Sequence, residues 1–260
     1  VDWRAATPRA GLFLADAVRD VSWLHTDSLF AVAQRKYAYI YDAQSGGQVH
    51  VLRAHVAPAW LAFLPHHLLL ASAPAGALAS TPSAQNAIHY TDVSTGAIVG
   101  SLRVGAPRYG LAAAGTAAVN GSTGTLHTGH ANGVVAVWSP TASGPLARVL
   151  SHKAGVSAVA VSPDGRWAAT SGVDAVTAVW DLRTWLQVRA FRTHAPVTSL
   201  DISATGMLAL TYSSTVEVYK DAYEGGGAGR RAGGGGVPSS SLGRDTAERP
   251  PLPYMVERLP

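Results

Sequence analysis

The stretch "TSGVDAVTAVWDLRT", residues Thr170 to Thr184, sets a hydroxyl residue, Asp174, an apolar alternation and the pair Trp180 and Asp181 in fixed order. Asp174 falls four residues after Thr170 and six before Trp180, in a chain of which only 14% is charged. Such a placement calls for a structural reason. Laying "TSGVDAVTAVWD" (170–181) under "TGHANGVVAVWS" (128–139) aligns Thr170 with Thr128, Asp174 with Asn132 and Trp180 with Trp138, without a gap and 42 residues apart. Self-similarity at a fixed period of this size marks a repeat architecture, in which each unit buries its faces against its neighbours.

Working outward, an aromatic residue or its substitute closes a β-rich segment at Trp3, Tyr41, Thr91, Trp138, Trp180 and Tyr219, at spacings of 38, 50, 47, 42 and 39 residues. An acid follows directly at Asp42, Asp92 and Asp181. His55, His152 and His194 each lie 14 residues after one of these markers. Between them, "VSAVAVSP", "WAATSG", "AVTAVWDL" and "LQVRAF" are short runs rich in Val and Ala, separated by turn chemistry such as Pro163-Asp164-Gly165. Four short strands per period of about 40 to 45 residues is the β-propeller signature of WD repeats. The expected fold class is therefore all-β, a WD-repeat β-propeller.

The segment resembles WD-repeat blades, and the resemblance gives the acid a task. In such blades a histidine before the first strand, a hydroxyl on the second, an aspartate in the next turn and a tryptophan on the third form a hydrogen-bonded relay. That set maps onto His152, Thr170, Asp174 and Trp180. A buried Asp174 accepting from its own turn and from the imidazole would be a staple and not a catalyst. The other repeats keep parts of the set: Thr128, Asn132 and Trp138 lack an acid, and Tyr41 and Tyr219 replace the tryptophan. Those blades are expected to rely more on packing.

Trp3 reads as the third-strand end of a blade whose earlier strands precede residue 1, and full blades are expected over 20–50, 51–101, 102–148, 149–190 and 191–222. Propeller blades thus occupy 1–222, the first of them partial. Within the second, "SAPAGALASTPSAQ" reads as a lengthened loop. Residues 223–250 are too rich in Gly and Ser to bury an ordering core, and 251–260, "PLPYMVERLP" after Pro250, reads as the start of a further blade or a connecting segment. Open sheet edges are a liability, so a seven-bladed ring truncated at both ends is the expected whole.

Composition narrows the function. With 260 residues and 47% apolar content the chain can bury a large core, no apolar run reaches the roughly 18 to 20 residues of a membrane helix, and "VDWRAATPRAG" lacks the order of a secretory signal. Zero cysteines exclude disulfides, cysteine-ligated zinc and thiol catalysis, and fit a reducing compartment. The net charge of +4 is diffuse. It is densest in the fourth blade, where Arg148, Lys153, Arg166, Arg183, Arg189 and Arg192 face only Asp164, Asp174 and Asp181, a solvated rim. His127 with His130, and His66 with His67, are the close histidine groupings, and neither has a carboxylate at ligand spacing. A nucleophile elbow, a phosphate-binding loop and a glycosidase-like carboxylate pair are all lacking. No catalytic residue, metal or cofactor is expected.

Five blocks carry a narrower resemblance: "AVRDVSWLHTDSLFAVAQRKYAYIYD" (17–42), "LAFLPHHLLLAS" (61–72), "YTDVSTGAIV" (90–99), "HTGHANGVVAVWSP" (127–140) and "VSAVAVSPDGRWAATSGVD" (156–174). They resemble the nucleolar WD-repeat subunit family of the small-subunit processome, associated with the U-three small nucleolar RNA. The likeness spans most of residues 2 to 221 and touches "PYM" at 254–256. It departs in a longer loop near 73–86, in the glycine tract after 224, and in the lack of the helical N-terminal and basic C-terminal extensions of the family.

The resemblance implies a non-catalytic scaffold in the nucleolus that supports pre-rRNA processing, 18S rRNA maturation and small-subunit biogenesis. Its implied partners are other processome subunits and pre-rRNA or small nucleolar RNA, with no membrane and no small-molecule substrate. Arg19, Arg35, Lys36, Arg183 and Arg189, near blade turns, are the candidate contacts to phosphate or acidic surfaces. The alternative is a WD-repeat adaptor of another kind, such as a ubiquitin-ligase substrate receptor or a trafficking coat subunit.

Overall fold

The computed structural model describes residues 11–26, 28–75, 87–104, 109–220, 222 and 257–258. Regular structure among them is strand throughout, and the chain divides into two compact units, Val1–Ala113 and Ala114–Pro260. Trp3, the Gly/Ser tract 223–250 and "PYM" lie outside the described residues.

The first unit holds two four-stranded antiparallel blades. Blade 1 is β1 (Val18–Trp23), β2 (Leu29–Gln34), β3 (Ala38–Asp42) and β4 (Gln48–Leu52); blade 2 is β5 (Pro58–Leu64), β6 (Leu69–Pro74), β7 (Ala87–Asp92) and β8 (Ile98–Arg103). In the second unit, blade 3 comprises β9 (Ala114–Asn120), β10 (Thr125–His130), β11 (Val134–Trp138) and β12 (Pro145–Leu150). Blade 4 follows as β13 (Val156–Val161), β14 (Trp167–Gly172), β15 (Val176–Asp181) and β16 (Leu186–Arg192). Blade 5 has three strands, β17 (Ser199–Ile202), β18 (Leu208–Thr211) and β19 (Val216–Tyr219), and a short β20 (Glu257–Arg258) lies antiparallel on the outer edge of β12.

Each blade is a meander in chain order because its connections are tight turns. Between β13 and β14, Ser162 and Asp164 fix such a turn: the Ser162 hydroxyl accepts from the Trp167 N–H at 2.9 Å, and Gly165 takes φ +70°. A side chain at Gly165 would collide with Asn120 of blade 3, whose amide donates to the Gly165 carbonyl at 3.0 Å.

Middle strands are buried on both faces, which is why alternation fades there and Ala, Gly, Ser and Thr take its place. In β14, Ala168, Ala169, Thr170, Ser171 and Gly172 are all buried. Small side chains let adjacent blades approach closely: Ala158, Ala160, Ala169 and Val179 pack on Leu200, Ile202, Leu208 and Leu210 of blade 5. Ala31, Ala33, Ala38 and Ile40 of blade 1 pack likewise on Leu61 and Leu70 of blade 2. Outer strands such as β8 are mostly exposed or half-buried.

One irregularity recurs. The pairing of the third and fourth strands slips between Ile40 and Tyr41, Tyr90 and Thr91, Val137 and Trp138, and Val179 and Trp180. A bulge therefore meets the closing marker in all four four-stranded blades.

Part of the expected loop in blade 2 is strand instead. Ser72, Ala73 and Pro74 continue β6, with Ala73 opposite Trp60 and Pro74 opposite Pro58. Ser72 has a buried polar partner to reach, and Pro74 sits at the strand end, where its missing N–H is tolerated.

Candidate functional site

In blade 4 the four residues singled out from the sequence form one chain of hydrogen bonds. Trp180 sits on β15 directly across from Ala168, and its indole Nε1 donates to Thr170 Oγ1 at 2.9 Å. Thr170 Oγ1 lies 2.9 Å from His152 Nε2, and His152 Nδ1 lies 3.3 Å from Asp174 Oδ1. An indole N–H can only donate, so the threonine accepts it and turns its own hydrogen to Nε2, leaving the Nδ1 proton toward the carboxylate. Asp174 also accepts the backbone N–H of Lys153 at 3.0 Å and of Val176 at 3.2 Å, tying the incoming loop to the β14–β15 turn. Burial holds the His152 pKa below its ordinary value, while the charge of Asp174 pulls it back up.

Gly172, not singled out from the sequence, makes room for this chain. A Cβ there would stand 2.5 Å from Asp174 Oδ1 and 2.7 Å from the His152 ring. Its counterpart in blade 3 is His130, and blade 3 has a buried polar chain of its own. Trp138 Nε1 donates to Thr128 Oγ1 at 2.7 Å, and Thr128 Oγ1 lies 2.8 Å from His130 Nε2. The imidazole comes from β10 itself and not from the preceding loop.

Blade 2 uses a third arrangement. His55 Nδ1 bonds Ser72 Oγ, and His55 Nε2 lies 2.6 Å from Thr91 Oγ1, so Thr91 stands in for the tryptophan. With no carboxylate in the set, burial and the neighbouring His89 push the His55 pKa down to about 4. In blade 1, Gln34 Nε2 donates to the Tyr41 hydroxyl at 3.3 Å. In blade 5, Glu217 Oε2 accepts from the Tyr212 and Tyr219 hydroxyls at 3.0 and 2.7 Å, and the exposed His194 packs on Tyr212 with ring centroids 4.1 Å apart. The expectation that incomplete blades rely more on packing is thus amended, because each places a polar set of its own at the same closing position. The substitutions hid it: Gln34, Ser72 and His130 follow no shared offset from the markers.

The remaining histidines do not assemble a metal site. His127 is fully buried, stacked on Trp185 at 6.0 Å, and its pKa is lowered to about 4 by burial. His66 and His67 lie in the β5–β6 turn and not on a strand. Among the described residues no three His, Cys, Asp or Glu side chains converge. Beside Thr170 and Trp180, a cavity of about 10 Å³ lined also by His127 and Trp185 has room for one water molecule.

The five basic candidates are scattered. Arg19 donates to the carbonyls of Ala57 and Pro58, each at 3.2 Å, and so serves the packing of blade 1 on blade 2. Arg35 and Lys36 form the exposed β2–β3 turn, with the Lys36 ammonium 5.2 Å from the Tyr37 ring. Arg183, 64% exposed, pairs with Asp181 at 3.3 Å. Arg189, on β16, lies 5.9 Å from the Phe191 ring. Arg35 and Lys36, neighbours in one turn, stand together.

Comparison with known proteins agrees with the blade geometry. The family model described as "WD domain, G-beta repeat" matches residues 144–181, which hold the blade 4 relay. U3 small nucleolar RNA-associated protein 7 of Saccharomyces cerevisiae is 36% identical over 224 residues, covering 85% of this chain and 38% of that protein. WD repeat-containing protein 46 of Mus musculus is 37% identical over 220 residues, covering 84% of this chain and 33% of that protein. The chain therefore spans little more than a third of the length of these relatives. A chain in the structure "Crystal Structure of Mitotic Checkpoint Complex" superposes with a TM-score of 0.66 over 81% of this chain and 63% of that one, at 23% identity, a likeness of fold alone. With blades closed by buried polar sets and these relatives over most of its length, the chain belongs to the WD-repeat propeller family of U3 small nucleolar RNA-associated protein 7 and WD repeat-containing protein 46.

Proposed function

We propose that this chain is the propeller part of a non-catalytic scaffold in the small-subunit processome, acting in the nucleolus to support pre-rRNA processing and 18S rRNA maturation. The observation that carries the reading is the 36% identity over 85% of the chain to a protein named for its association with the U3 small nucleolar RNA. The interior supports it as well. The relay of His152, Thr170, Asp174 and Trp180 is internally satisfied, and the cavity beside it, about 10 Å³, has room for no more than a water molecule. A scaffold works by presenting loops and edges at fixed positions. The exposed Arg35, Lys36 and Arg183 and the half-buried Arg189 are its contacts to phosphate or acidic surfaces.

Depletion of the full-length protein tests the reading. Accumulated unprocessed pre-rRNA, with tagged protein in the nucleolus, is the expected result. Normal rRNA with nucleolar exclusion would overturn it in favour of an adaptor of another kind.

A further inference from the structure

Arg35 and Lys36, in the β2–β3 turn of blade 1, stand beside Val56 and Ala57, in the loop entering blade 2, and Asp16, just before β1. Together these five residues line an open groove of about 350 Å³ within the first unit. Its floor is fixed. Ala57 holds φ +46°, a left-handed conformation unfavourable for a residue with a Cβ. Three contacts keep it there. The Ala57 N–H donates to the Lys36 carbonyl at 2.9 Å, and the Ala57 carbonyl accepts from the Ala75 N–H at 2.9 Å and from Arg19 Nη1 at 3.2 Å. Behind it, Asp20 Oδ2 accepts the Leu61 N–H at 2.7 Å, clasping the two blades. A strained residue fastened from several sides makes a groove formed before anything enters it.

Its chemistry is mixed. Arg35 and Lys36 are exposed, and among the described residues neither has an ion-pair partner within 4.0 Å. Val56, 47% exposed, offers an aliphatic surface between them and the buried Ala57. Asp16 adds one carboxylate, which among the described residues accepts from the exposed Ala17 N–H at 3.0 Å.

We propose that this groove docks an extended segment of a partner protein in which an acidic and an aliphatic side chain stand two residues apart, on one face of the strand; the inference rests on reading the chain as a scaffold. An incoming carboxylate meets the Arg35 fork and the Lys36 ammonium, the aliphatic side chain two residues on covers Val56, and Asp16 accepts a backbone N–H of the segment. A nucleic-acid backbone fits worse. Asp16 would oppose its phosphates, two cations give little electrostatic grip, and Lys36 already lies over the Tyr37 ring on which a base would stack.

Fluorescence anisotropy with the 260-residue chain provides the test. The probes are a labelled synthetic peptide repeating Glu-Ser-Leu-Ser, which puts Glu and Leu on one face of an extended chain, the same peptide with Gln for Glu, and a labelled oligouridylate. The Glu/Leu peptide is expected to bind saturably, and to lose about tenfold in affinity to R35E/K36E and a smaller factor to V56S. The Gln peptide should bind at least about tenfold more weakly. Charge reversal at Arg192, exposed on blade 4 and outside the groove, should leave binding unchanged, and unaltered thermal melts exclude misfolding of the variants.

Absence of saturable peptide binding, equal binding by R35E/K36E, or saturable binding of oligouridylate alone overturns the proposal. The depletion experiment stands apart. Unprocessed pre-rRNA together with unchanged peptide binding by R35E/K36E sinks the groove and spares the scaffold. Normal rRNA together with lost peptide binding does the reverse.

Discussion

Blades 3 and 4 close in the same way with an imidazole delivered from two different places. In blade 4 the ring enters from the loop after β12, and Gly172 leaves the space it occupies. In blade 3 that strand position is His130, whose own side chain reaches Thr128, the counterpart of Thr170. The tryptophan and the hydroxyl are common to both, and only the route of the histidine differs. The comparison teaches that what the fold requires is an acceptor for the indole N–H with a partner behind it. The consensus set of residues is one of several ways to supply them.

Exchanging the two routes is the most direct way to break this comparison. His130→Gly removes a fully buried ring, takes one of the partners of the Thr128 hydroxyl and adds a flexible residue to a middle strand, so a loss of about 4 kcal/mol is expected in urea unfolding followed by near-ultraviolet circular dichroism. A loss below about 1 kcal/mol would show that His130 is not the equivalent of His152.

Acid sharpens the comparison by separating rings with and without a carboxylate. His55 and His127 have folded pKa values near 4, below the ordinary 6.5. For a base, a depressed folded value means that the unfolded chain takes up protons first, so stability is full above pH 6.5, falls as pH drops toward 4, and is constant below. The expected loss is on the order of 3 kcal/mol for each ring across that window. Imidazole NMR titration should find both rings neutral down to about pH 4, with His152 titrating above them because Asp174 favours its charged form.

Asp174→Ala comes next, at about 2–3 kcal/mol, because it strips a partner from His152 and from two backbone N–H groups. An unchanged melting temperature would reduce the carboxylate to an ornament of the turn. The smallest effect belongs to Arg183→Ala, which removes an exposed ion pair and should shift stability by no more than about 0.5 kcal/mol.

The blades were legible in the sequence because each is local. Strand, turn and strand follow one another within a period, and Thr170, Asp174 and Trp180 keep the offsets that the sheet register imposes. His152 was legible through its constant distance from the preceding marker. His130 was not, since alignment places it over a glycine and nothing in spacing says that one position vacates the volume another fills. Ser72 was hidden by a composition that reads as loop, although its buried partner His55 draws it into a strand. The groove at Arg35 and Val56 was invisible for a further reason: it is assembled from three separate loops, and nothing in the spacing brings Asp16 or Val56 beside Arg35 and Lys36.

The slipped pairing at the closing marker of each four-stranded blade governs how its outer edge meets its surroundings. An extra residue there skews the rim strand out of plane, so its free carbonyls and amides stop lining up as an uninterrupted template. On β12 the slip falls between its partners Ala147 and Pro145, and β20 pairs only with Ala147 and Arg148, on the far side of it. A rim with this interruption tolerates a brief strand laid on it but resists zippering along its whole length with a second molecule.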